Sequence, residues 1–206
     1  MISVAGLVYL GQQTYSGAPP LVDYVSADTG EVFLSQKQIE RGKEVFHLRG
    51  LMGYGSFWGD GGDRGPDFTA DALHRTVVSM QEYYTKQMLA QTGAAALTEY
   101  ERDAIGQRVM REMRNNTYDE AAGTITLNAA QMNAFEELNV HYSRMFTDPT
   151  YKDRMEPLNQ VNGAENIRAV TGFFFWGGWV AAANRPGETY SYTHNWPYDP
   201  DVGNVA

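Results

Sequence analysis

The stretch Gly50–Asp67 reads GLMGYGSFWGDGGDRGPD, with seven glycines, three aromatic residues and three aspartates, and neither a histidine nor a cysteine. Backbone N–H groups ahead of a helix can cradle a phosphate, so a nucleotide loop is one reading. GYGSFWG (Gly53–Gly59) is one residue too long for G-x-G-x-x-G, follows a helical segment instead of a strand, and has no P-loop lysine. Asp60, Asp63 and Asp67 supply the oxygen chemistry that calcium prefers, but not at EF-hand spacing. An ordinary solvated turn is the third reading.

Upstream of the loop, Ser35 and Gln38 form a capping-box pair ahead of Ile39, Val45 and Phe46, which predicts a helix from Ser35 to about Arg49. Downstream, Pro66 closes the loop, and Leu73, Val77, Met80, Tyr84 and Met88 recur at three-to-four-residue spacing over 69–91. A third helix opens at Thr98 with Glu101 and buries Ile105, Val109 and Met113. A fourth opens at Asn128 with Gln131 and buries Met132, Phe135, Leu138, Tyr142 and Met145. Between them, YDEAAGTITL (118–127) has a glycine turn and alternating threonines, the pattern of an inserted β-hairpin.

The fifth helix, from Ala164 to about Asn184, contains FFFWGGW (173–179) and is apolar all round. It is either a central core helix or an interface helix against lipid headgroups or a membrane-embedded partner. The tail YSYTHNWPYDPDVGN (190–204) has no periodicity and reads as extended. Residues 16–34, with Pro19 and Pro20, read as an extended connector ending in the short strand EVFLS (31–35). The fold class is mainly α.

Sixteen basic against twenty-five acidic residues give a net charge of -9, which argues against nucleic acid as a partner. The absence of cysteine excludes disulfides, thiolate zinc sites and covalently attached c-type haem. His47, His74, His141 and His194 are scattered, with no helical ligand pair, and read as structural histidines. The longest apolar run, Ala169–Ala183, falls short of the roughly 20 residues that cross a bilayer. The amino end lacks a charged region and a cleavage site, so it is read as the last turns of a longer helix and not as a signal peptide.

Two blocks together, GLMGYGSFWGDGGDRGPDFTADALHR (50–75) and FFFWGGWVAAANRPGETYSYTHNWPYDPDVGN (173–204), resemble quinol-dependent nitric oxide reductases. In that family NRPG, YSYT and NWP recur in this order between the first two membrane helices, and LVYLGQQTYSGAPP (7–20) is similar to the exit of the first. The resemblance implies a periplasmic domain of cytochrome c fold, at the periplasmic face of the bacterial inner membrane. It would sit on its own transmembrane part, which holds haem b, haem b3 and a non-haem iron, takes electrons from quinol bound elsewhere, and reduces two NO to N2O.

By this resemblance, ERGKEVFHLRG (40–50) corresponds to the first cytochrome c helix, with Leu51 and Tyr54 standing in the places of the two haem-attaching cysteines and Gly55 in that of the proximal histidine. The domain would carry no catalytic residue and no cofactor, and Tyr54, Phe57, Trp58 and nearby methionines are expected to fill the vacated volume. Gly61 matches the position whose carbonyl would help bind a calcium in the full enzyme, and Trp58, Asp60, Trp176, Trp179 and Trp196 are expected at the interface with the membrane part. The expected organisation is a membrane-helix exit and connector (1–34), a cytochrome c-like domain with a hairpin (35–163), and an apolar helix with a tail leading to the next membrane helix (164–206). The rival reading is a free-standing helical module that binds calcium or a small ligand.

Overall fold

Three of the five expected helix starts rest on reciprocal side-chain caps, and each forms as the local sequence dictates. The computed structural model describes residues 2–152 and 157–205. Its first helix, α1 (Ile2–Ser16), precedes two short strands, β1 (Asp23–Ser26) and β2 (Val32–Leu34). Helix α2 (Gln36–Leu48) follows, with Ser35 Oγ accepting from Gln38 N and Gln38 Oε1 accepting from Ser35 N.

The glycine loop contains a single 3-10 turn (Leu51–Gly53) and a minimal hairpin of β3 (Ser56–Phe57) and β4 (Asp60–Gly61). Helix α3 (Phe68–Thr92) starts under the Asp67 cap and stops at Gly93, whose φ of 67° lets the chain turn away. Helix α4 (Glu99–Arg114) has the Thr98–Glu101 capping box. The hairpin β5 (Tyr118–Asp119) and β6 (Thr124–Leu127) leads into α5 (Ala129–Thr147), capped by Asn128 and Gln131. Helix α6 (Ala164–Ala182) completes the set.

The connector is more ordered than its sequence suggests. It supplies β1 as well as β2, and β1 pairs in parallel with β6, joining Tyr24 to Ile125 and Ser26 to Leu127. The expected hairpin is thus half of a four-stranded sheet ordered β2-β1-β6-β5.

Helix α6 is the core helix of the two readings: Ala169–Ala182 is buried throughout, with α2, α3 and α5 packed around it. Where α2 crosses α6, Gly42 lets the backbones touch, since a Cβ there would lie 2.0 Å from the Ala169 carbonyl oxygen. Two ring pairs fill the centre, Phe57 stacked on Phe173 and Phe68 on Phe174, each with centroids 4.3 Å apart. Phe46 packs against all four.

Candidate functional site

The glycine loop is organised by one carboxylate. Asp67 Oδ1 accepts from Ala70 N at 2.9 Å as the cap of α3, while its Oδ2 accepts from Ser56 Oγ at 2.7 Å and Gly59 N at 2.8 Å. The loop is therefore sewn to the start of α3. Thr69 Oγ1 adds a bond from Trp58 N at 3.1 Å.

Within this frame the backbone folds onto itself. Gly62 N donates to the carbonyls of Met52 (2.7 Å) and Gly55 (3.0 Å), Gly65 N and Arg64 N both reach Tyr54 O, and Ser56 N reaches Pro66 O. Such close approach requires missing side chains. A Cβ on Gly55 would sit 2.3 Å from Pro66 O and 2.8 Å from Phe68 Cε2, and Gly61, at φ 140°, has the Gly55 carbonyl 2.4 Å from its own would-be Cβ.

The three residues expected at vacated attachment positions have distinct fates. Leu51 is fully buried in the core, Tyr54 is half-buried, and Gly55 has no room for any side chain. A haem with an axial histidine does not fit these residues: the chain has no thiol, and an imidazole at 55 would displace the Pro66 carbonyl and the Phe68 ring. Phenylalanines pack beneath the loop. Phe57 takes a central place, whereas Trp58 lies at the edge and Met52 is exposed.

The tryptophans divide by burial. Trp176 and Trp179 are 7% and 5% exposed and belong to the core, with Trp176 Nε1 donating to Pro20 O at 2.9 Å. Trp58 and Trp196, at 36% and 39%, keep surface to offer. Asp60 and Gly61 are exposed on the hairpin beside Trp58. Among the described residues, no three or more His, Cys, Asp or Glu side chains converge as a metal site.

Sequence reasoning passed over a polar cluster between α3 and α5. Asp71 accepts from Arg75 Nε and from Tyr142 OH, both at 2.8 Å, and His141 Nε2 lies 3.4 Å away, while His141 Nδ1 meets Tyr151 OH at 2.8 Å. Burial pushes the Asp71 carboxyl up, but the nearby His141 imidazole, the Arg75 charge and the Tyr142 hydroxyl together hold it below the usual carboxylate range. The cluster borders a groove of about 480 Å³ that His74 also lines. His74 and Arg75 follow Asp71 by one turn of α3, a local signal, but His141 comes from α5 and only the tertiary packing joins it to them. His47 is exposed on α2, and His194 stacks on Tyr190.

Among the described residues, no helix is long and apolar enough to cross a membrane. A search of curated proteins finds no match to the chain. Comparison with protein families matches residues 22–198 to the NorB cytochrome c-like domain of nitric oxide reductase. That span runs from β1 to the tail and includes the sewn loop and the phenylalanine core. The chain belongs to the family of NorB cytochrome c-like domains of nitric oxide reductase, as a member with no cysteine to attach a haem.

Proposed function

We propose that this domain is a haem-free structural cap on the membrane-embedded catalytic part of a quinol-dependent nitric oxide reductase, at the periplasmic face of the inner membrane. The observation that carries the reading is the closed loop: the chain has no cysteine, Leu51 is buried and Gly55 has no space for a ligand side chain. A domain without a redox centre cannot relay electrons, so quinol delivers them directly to the haems of the membrane part. Reduction of two NO to N2O then takes place there, at haem b3 and the non-haem iron.

Attachment is supported by α1. All of residues 3–10 are exposed, and Val4, Leu7, Val8 and Tyr9, each more than 60% exposed, spread around the helix instead of along one stripe. The helix has no charged residue. An apolar surface of this kind calls for an apolar surround, which the membrane part supplies. Gly61, exposed on the sewn hairpin, is the position whose carbonyl would contribute to a calcium shared with that part.

The test is the haem content and donor preference of the full-length enzyme. Alkaline pyridine spectra of the purified protein are expected to show b-type haem alone, with NO consumption driven by a reduced quinol analogue and not by reduced cytochrome c. A c-type spectrum, or turnover with cytochrome c as the donor, would overturn the proposal.

A further inference from the structure

Two separate turns converge on one outer face of the domain. Trp58 has a φ of 53° and Asn195 a φ of 63°, both in the left-handed region that side-chain-bearing residues seldom adopt. The first turn carries the Trp58 indole, and the second brings Trp196 over Gly59, where a Cβ would lie 3.4 Å from Trp196 Cζ2. Trp58 also packs against Trp176, with centroids 5.4 Å apart, and Trp176 holds Pro20 O. The exposed indoles therefore adjoin the short segment that leads out of α1.

We propose that Trp58 and Trp196 form an aromatic anchor that seats the domain in the headgroup layer of a bilayer, with zwitterionic lipid as its ligand. The inference rests on the membrane attachment proposed above and names the surface that attachment places against lipid. Indoles favour the headgroup region; Trp58 Nε1 donates to Gly177 O at 3.5 Å, so it is the ring of Trp58 that meets lipid. The charge of the face selects the lipid. Asp60, Asp63 and Arg64 are exposed on the loop that carries Trp58, two acids against one base, and the chain has a net charge of -9, so anionic headgroups are repelled. A lipid ammonium group instead meets indole faces and carboxylates together, the combination that binds such cations.

The experiment uses the 206-residue chain with phosphatidylcholine vesicles that carry a nitroxide on the headgroup. The chain is expected to float with the vesicles, and the headgroup nitroxide to quench part of its tryptophan fluorescence. The buried Trp179 remains bright and reports that the fold is intact. The double variant Trp58→Asn/Trp196→Ala, with asparagine chosen because it tolerates the left-handed backbone at 58, should lose the quenched fraction and partition about tenfold more weakly. Exchange of half the lipid for phosphatidylglycerol should weaken partitioning of the parent chain.

Flotation with quenching unchanged in the double variant would overturn the anchor and leave the α1 attachment standing. Partitioning that strengthens with phosphatidylglycerol would overturn the choice of lipid. Absence of flotation would overturn the anchor and leave the attachment to the membrane-embedded part, which the vesicles lack, to the haem and donor test above.

Discussion

Asp71 meets a guanidinium at 2.8 Å, a phenol at 2.8 Å and an imidazole at 3.4 Å, while its side chain is largely withdrawn from water. Its carboxyl titrates below the usual carboxylate range because these partners outweigh burial. A depressed folded-state value means that the ionised form contributes stability above the unfolded value of about 3.9, and that this contribution is lost as pH falls through the folded value. Asp71→Asn removes the charge and keeps the shape. It should cost about 2 kcal/mol at pH 7, below the range for fully buried pairs because the Asp71 and Arg75 side chains keep 17% and 32% of their exposure. Urea midpoints measured from pH 7 down to pH 3 check this: the variant should start lower and fall less steeply below pH 4. Parallel curves for the two proteins would show that Asp71 is not the group responsible.

At the scale of the element, the crossing of α2 over α6 shows which contacts can give. The would-be Cβ of Gly42 meets the Ala169 carbonyl at 2.0 Å, and a backbone atom in a helix cannot step aside. The would-be Cβ of Gly172 meets only Leu34 Cδ1 at 3.0 Å, the tip of a side chain that can turn. Gly→Ala in a helix gains about 0.5–1 kcal/mol from chain entropy, against an overpacking cost of about 1–3 kcal/mol. Gly42→Ala should therefore destabilise by about 2 kcal/mol, with the helices forced apart, while Gly172→Ala should fall within about 1 kcal/mol of neutral. Thermal midpoints of the two variants separate these outcomes. Equal losses would mean that the crossing is looser than the distances imply.

The elements also differ in how far their sequences announce them. Ser35–Gln38, Thr98–Glu101 and Asn128–Gln131 each fix a helix start within four residues, and a glycine fixes the 118–127 turn, so these are legible. Strand β1 is not, because four residues hold it by parallel pairing to a strand about a hundred positions away, and no local pattern encodes that partner. The site divides in the same way. The lack of a haem-attaching thiol can be read from the sequence, whereas the closing of the loop by Asp67 and the meeting of Asp71 with His141 depend on contacts between separate elements. Nor does composition separate the buried Trp176 and Trp179 from the exposed Trp58 and Trp196, since burial and interface residence select the same residue type.

Across the whole molecule, the connector and the tail are both pinned to the helical body. The connector is held by β1–β6 pairing and by the Trp176–Pro20 bond. The tail is held by Asn204, fully buried, whose Nδ2 donates to Ala181 O at 2.9 Å and Pro197 O at 3.1 Å while its Oδ1 accepts from Arg114 at 3.1 Å. Arg114 in turn reaches Thr189 O and Asn195 Oδ1, so one arginine on α4 spans the tail that carries Trp196. Asn204→Ala removes three hydrogen bonds and strands two carbonyls, a loss of about 2–3 kcal/mol. The cost should fall locally, because the tail adds Val202 to the core and Tyr192 to its margin while the centre is built from α2, α3 and α6. Hydrogen exchange is expected to show residues 190–204 losing protection in the variant, with the amides of α2 and the middle of α6 unchanged. Equal loss along α6 would instead make the tail part of the global folding unit, and its Trp196 a fixed feature of the domain and not a separately held arm.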